Sequence, residues 1–189
     1  MSTSERSRSE KPLENLLRQK NVTIIEIISE PTFRSRLKSP PKILTEFLLQ
    51  DQTINEICDW LLTEEYCSLP NYKPTAQSIF RIFKDSPESL QSSFSQNEKL
   101  TYRLSEFSKS QKDQCLLNCA FFEQMVEFFS LITRGHFLTK FKRLPFLLAK
   151  RIEIISIRHL FYFLAANFTT PFTFSCSIVL FILHNLNER

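Results

Sequence analysis

The stretch CLLNCAFFEQMVEFFSLITRG, residues 115–135, decides the fold. It holds four Phe, one Met and a run of aliphatic residues, with only Glu123 and Glu127 as charges before Arg134. Glu123, Glu127, Ser130 and Arg134 recur at spacings of four, three and four, so they form one narrow polar stripe on a helix. Leu117, Phe121, Met125, Phe128 and Ile132 form an apolar face, and Phe122, Val126 and Phe129 widen it. A helix that is apolar over most of its circumference must be covered on several sides. The stretch therefore reads as an inner helix, either of a layered stack or of a compact bundle, with Gly135 closing its C-terminus.

The rest of the chain supports an all-helical reading. There is a single glycine, Gly135, in 189 residues, where average usage would give about 13. Phosphate loops, dinucleotide fingerprints and Asn-Gly hairpins all need glycine, and none can be built here. Start signals recur instead. Thr23 with Glu26 has capping-box spacing, and Thr53 with Glu56 repeats it. Ser39 before two prolines, Ser86 before Pro87, Asn97 and Ser110 are further candidate helix starts. Residues 1–11 are rich in Ser and charge and read as a disordered tail. Leu13, Leu16 and Leu17 share one face, as do Ala76, Ile79, Phe80 and Phe83. YCSLPNYKP, residues 66–74, reads as a loop.

The five cysteines, Cys58, Cys67, Cys115, Cys119 and Cys176, are odd in number and contain no Cys-x-x-Cys pair. The N-terminus has no apolar signal region, which together with the cysteines points to a reducing compartment, the cytoplasm or also the nucleus. Cys115 and Cys119 share a helix face, but no His accompanies them, so they read as buried thiols and no metal or cofactor is expected.

No catalytic motif is present. His136, His159 and His184 lie far apart, with no carboxylate or nucleophile at a meaningful spacing. Residues 134–158 are the one strongly charged stretch. Arg134, Lys140, Lys142, Arg143, Lys150, Arg151 and Arg158 against Glu153 give +6, so the remainder of a chain of net charge +4 carries −2. These seven basic residues read either as the solvated face of helices or as a contact for an acidic partner surface. No nucleic-acid-binding module accompanies them. Residues 160–183 carry no formal charge over 24 positions. That is the length of a membrane span, but Asn167, Thr169, Thr170 and Pro171 interrupt it.

Read in order over the first 170 residues, Leu16-Leu17, Val22-Thr23 and Ile27-Ile28, then Lys38, Leu44, Phe47-Leu48 and Trp60, then Lys73 and Ala76, resemble the N-terminal part of the SAPS-domain family, the regulatory subunits associated with type-6 serine/threonine protein phosphatase. LENLLRQKNVTIIEIISE looks like the family opening, with Leu16-Leu17, Val22-Thr23 and Ile27-Ile28 in place. The block FRSRLKSPPKILTEFLLQDQTINEICDWLLTEE resembles the next, matched at Lys38, Leu44, Phe47-Leu48 and Trp60. YKPTAQSIF, through Lys73 and Ala76, and FFEQMVEFFSLITRGHFLTKFK resemble later segments. Family members usually have a longer domain, and residues 171–189 match no part of it. The resemblance implies stacked helical layers, an armadillo- or HEAT-like α-solenoid fragment over residues 12–170, with 171–189 as a separate apolar segment. It also implies a non-enzymatic regulatory scaffold whose partner is a type-6-like serine/threonine phosphatase catalytic subunit. Two other readings stand beside it: a small membrane-associated helical protein anchored through residues 160–183, and an enzyme with a dispersed site.

Overall fold

The computed structural model describes residues 11–110, 115–141 and 144–167. Among the described residues there are twelve α-helices, one 3-10 helix and no strand. The fold is all-α, its helices are packed in layers, and it is compatible with an α-solenoid. The chain divides into two compact units, at Leu100 and Thr101. The tail 1–10 and the apolar segment 171–189 lie outside the described residues.

The first unit begins with α1 (Lys11–Leu17), α2 (Ile24–Ser29), α3 (Phe33–Leu37) and α4 (Lys42–Leu48). It continues with α5 (Asp51–Leu62), α6 (Glu64–Cys67), α7 (Tyr72–Asp85) and α8 (Glu88–Gln96). Here α2 packs against α1, α3, α5 and α7, and α7 also meets α3, α5, α6 and α8. The periodic apolar residues point inward. Ile54, Ile57, Cys58 and Leu61 on α5 are fully buried, and so are Ala76, Ile79 and Phe83 on α7. Burying each such large side chain stabilises the unit by about 1.5–3 kcal/mol before entropy is counted.

Several helix starts differ from the sequence expectation. Thr23 does form a capping box: its hydroxyl accepts from the Glu26 N–H at 3.3 Å, and Glu26 Oε2 accepts from the Thr23 N–H at 2.8 Å. Thr53 does not cap α5. That helix starts two residues earlier, at Asp51, and Thr53 is buried inside its first turn. Ser39 does not cap α4 either, because Pro41 holds extended backbone immediately before Lys42. Ser86 ends α7 and does not open α8, its hydroxyl donating back to the Ile82 carbonyl. Gln91 of α8 completes that junction, donating to the carbonyls of Lys84 at 3.1 Å and Ser86 at 2.9 Å. The loop expected at 66–74 shrinks to residues 68–71, between α6 and α7. Trp60 fills the turn there, 4.9 Å from the Tyr66 ring and stacked on Tyr72 at 6.4 Å.

Helix α9 (Glu98–Lys109) runs across the division. Asn97 caps it, accepting from the Leu100 N–H at 2.9 Å. The second unit continues with α10 (Leu116–Ile132), a 3-10 helix (His136–Lys140), α11 (Leu144–Ala149) and α12 (Ile155–Asn167). Helix α10 packs against α12 and the 3-10 helix, and α11 packs on α12. Ser110 closes α9, and α10 does not begin there, since the Ser110 N–H donates to the carbonyls of Glu106 and Phe107.

A chain of rings runs through the second unit. Phe107 lies 4.9 Å from Phe122, Phe129 lies 5.2 Å from Phe137, and Phe137 lies 5.1 Å from Phe141. The inner face of α10 is therefore Phe122, Met125, Val126 and Phe129, all nearly inaccessible. Of the expected apolar face Phe121 and Met125 are buried, Phe128 is half-buried and Ile132 is 37% exposed, so that face becomes shallower toward the C-terminal end of the helix.

The end of α10 is a Schellman arrangement. The Gly135 N–H donates to the Ser130 carbonyl at 2.8 Å and the Arg134 N–H to the Leu131 carbonyl at 3.1 Å. The left-handed position that glycine usually fills belongs to Arg134, at φ 50°, and Gly135 follows at φ 86°. Thr133 ties this turn to the next element. Its hydroxyl donates to the Phe129 carbonyl at 2.7 Å and accepts from the Phe137 N–H at 3.0 Å.

Candidate functional site

The stripe Glu123, Glu127, Ser130 and Arg134 does not behave as one solvated edge. Ser130 is fully buried, Glu123 and Glu127 are half-buried, and only Arg134 is exposed. Glu123 is turned toward α12, the helix packed against α10. Its Oε1 lies 3.4 Å from Nδ1 of His159, and it accepts from the Ser156 hydroxyl. Burial pushes the Glu123 carboxyl above the ordinary carboxylate range, and Glu127 one turn on pushes it further. The hydrogen bonds from Ser156 and His159, and the charge on a protonated imidazole, act in the opposite direction. No local pattern points to this pairing, since Glu123 and His159 are far apart along the chain and meet only because α12 folds back onto α10.

One turn earlier a second cross-link forms. Arg151, just before α12, brings its guanidinium to 3.9 Å from the Cys119 sulfur. Burial raises the Cys119 thiol, and Arg151 partly offsets that effect. Cys58 and Cys119 are buried thiols, whereas Cys67 and Cys115 are half-buried. Cys176 lies outside the described residues. Among the described residues no three His, Cys, Asp or Glu side chains gather in a way that could hold a metal ion.

The seven basic residues meet different fates. Arg134, Lys140, Lys150 and Arg158 are exposed, Arg151 is half-buried against Cys119, and Lys142 and Arg143 lie outside the described residues. Lys140 borders a shallow groove of about 280 Å³ with Ser105, Ser108 and Lys109 of α9. Phe141, Leu144 and Leu147 also line the groove. Phe141 and Leu144 are only 5% and 1% exposed, so they have little apolar surface left to offer a ligand. Lys109 is engaged by Glu106 at 3.0 Å. The groove is a surface depression and lacks the features of a small-molecule site.

More apolar surface is available at the end of α10. Leu131 is 55% exposed and Ile132 37%, beside half-buried Phe128. Arg134 follows directly in the turn. Aliphatic side chains rimmed by a basic residue have the composition of a protein contact face. His136 is exposed in the 3-10 helix, and His184 lies outside the described residues. No helix among the described residues is long and apolar enough to cross a membrane, and most of the 160–183 stretch lies outside them. Compared with known proteins, the chain matches no family model, no curated protein and no solved structure.

Proposed function

We propose that this chain is a regulatory or scaffold subunit that binds the catalytic subunit of a type-6-like serine/threonine phosphatase and influences its activity or choice of substrate, acting in the cytoplasm or nucleus. The observation that carries the reading is the order of SAPS-like blocks along the chain. In the first unit these blocks fall on successive packed helices. Leu16-Leu17 and Ile27-Ile28 lie on and around α1 and α2, Leu44 and Phe47-Leu48 on α4, Trp60 on α5, and Lys73 and Ala76 on α7. Leu44, Leu48, Ile27 and Ala76 are fully buried, as residues that set the spacing of helical layers would be.

A layered helical surface can position a partner enzyme through many modest contacts. In the second unit the partner face would be the exposed end of α10, Leu131 and Ile132, with the basic residues Arg134, Lys140, Lys142, Arg143, Lys150 and Arg158 speeding association with an acidic surface. The test is affinity purification from the native cell at low salt, followed by mass spectrometry. Recovery of a phosphatase catalytic subunit that falls when Lys140, Lys142 and Arg143 are reversed to Glu supports both the partner and the basic contact. Recovery insensitive to those changes keeps the partner and removes the basic contact. Failure to recover any phosphatase with folded, full-length bait removes the proposal.

A further inference from the structure

We propose that Ser39 is a phosphorylation site, the acceptor for a proline-directed serine/threonine kinase that favours a basic residue three positions beyond the serine. The inference does not rest on the phosphatase reading.

The chain has two Ser-Pro steps, Ser39-Pro40 and Ser86-Pro87, and one Thr-Pro step, Thr170-Pro171, which lies outside the described residues. The fold separates the two serines. Ser86 is 5% exposed, and its hydroxyl donates to the Ile82 carbonyl at the end of α7. A kinase reaches it only by unwinding that helix end. Ser39 is exposed in the connection 38–41 between α3 and α4. It does not cap α4, and among the described residues its hydroxyl has no hydrogen-bond partner.

The residues after Ser39 have the shape and charge that such a kinase reads. Pro40 biases Ser39 toward extended backbone, and Pro41 is extended at φ −64° and ψ 155°. A kinase cleft takes its substrate as an extended chain. Pro40 has no N–H, so an apolar pocket without an acceptor holds it and leaves no donor unsatisfied. Lys42, the third residue beyond Ser39, is exposed. Glu46 stands 3.6 Å from it, with the two side chains 90% and 61% exposed. Such an open pair contributes little and gives way easily to a kinase carboxylate. Leu37 and Leu44 are 2% and 0% exposed and anchor the connection on both sides.

The reaction balances with a nucleoside triphosphate as phosphoryl donor. Ser39 Oγ attacks the γ-phosphorus, the Oγ–P bond forms, and the bond from that phosphorus to the β,γ-bridging oxygen breaks. The nucleoside diphosphate leaves, and the hydroxyl proton passes to a basic side chain of the kinase. Residues 34–42 hold Arg34, Arg36, Lys38 and Lys42 and no acid, a local charge of +4. Phosphate brings about −2 and lowers that charge to about +2. The Ser39 N–H donates to the Arg36 carbonyl at 3.2 Å, so the phosphate enters the same turn as Arg36 and lies next to Lys38 along the chain. Modification thus changes the sign pattern of one surface connection and leaves the buried layers intact.

The test is phosphorylation of the full, folded chain by a purified cyclin-dependent kinase with ATP and magnesium, mapped by peptide mass spectrometry. A synthetic peptide of residues 34–46 serves as the unfolded comparator. Phosphate should appear on Ser39 of the folded chain and not on Ser86. Ser39→Ala, an exposed substitution that leaves the far-UV spectrum unchanged, should abolish incorporation at this site. Pro40→Ala should do the same. Lys42→Ala should lower kcat/KM roughly 10-fold, the effect of losing one contact to a charged group. Phosphorylation of the peptide but not of the folded chain would overturn the proposal, because the fold would then shield Ser39. So would incorporation at Ser86 in place of Ser39, no incorporation in either substrate, or a rate unchanged in both Pro40→Ala and Lys42→Ala.

Discussion

The Ile24 backbone N–H donates to Glu56 Oε2 at 2.9 Å, so the first turn of α2 is capped by a side chain of α5 from 32 residues away. Burial raises the Glu56 carboxyl, the Ile24 N–H opposes that shift, and Glu26 and Asp59 add to it. A group whose value rises on folding stabilises the fold most at low pH, and that contribution is lost as pH rises through the folded value. Glu56→Ala should cost about 1–3 kcal/mol, because a backbone donor is left without its acceptor. Glu56→Gln keeps an acceptor and removes the strained charge. It should cost less than the alanine change and flatten the pH dependence of stability just above the ordinary glutamate range. Urea denaturation of the three chains at two pH values checks both statements.

Phe122 and Phe128 separate the two faces of α10. Phe122 is 1% exposed and meets Phe107, whereas Phe128 is half-buried. Phe122→Ala should cost about 3–5 kcal/mol, and Phe128→Ala clearly less. Equal losses by thermal or chemical denaturation would mean that the depths of the two faces are wrongly assigned.

Ser130 Oγ is buried with no hydrogen-bond partner among the described residues. Leaving a polar group unsatisfied costs about 1–3 kcal/mol. Ser130→Ala should therefore be neutral or raise stability, measured as a shift in the denaturation midpoint. A marked loss would show that the hydroxyl has a partner.

Arg134 holds the left-handed position after α10 at φ 50°. Glycine adopts that conformation without the clash of a Cβ. Arg134→Gly should leave stability unchanged or raise it by up to about 1 kcal/mol, and calorimetry is sufficient to see it.

Two identical spacings show what was legible in the sequence. Thr23 with Glu26 and Thr53 with Glu56 both have capping-box form. The first is a capping box, and the second sends its Glu across to α2. Helix periodicity is a local property, so the inward residues Ala76, Ile79, Phe80 and Phe83 of α7 could be read directly. The depth of a helix face depends on which neighbour covers it, and no local pattern specifies that. For the same reason Phe122, Val126 and Phe129 are deeper than Phe128 and Ile132, and Ser130 lies inside. Ser39 and Ser86 do not open helices, because Pro41 and Pro87, in extended backbone, set those boundaries. The Glu123–His159 and Cys119–Arg151 pairings needed the return of α12, which sequence spacing does not encode.

The central claim is binding to a phosphatase catalytic subunit, and a direct affinity measurement tests it best. The purified full chain is titrated with a purified type-6-like catalytic subunit at low and at physiological ionic strength. The account predicts saturable binding with a Kd of about 1 μM or tighter at low salt, weakening as salt screens the basic residues. No saturable binding by a chain whose far-UV spectrum shows it folded and helical would contradict it.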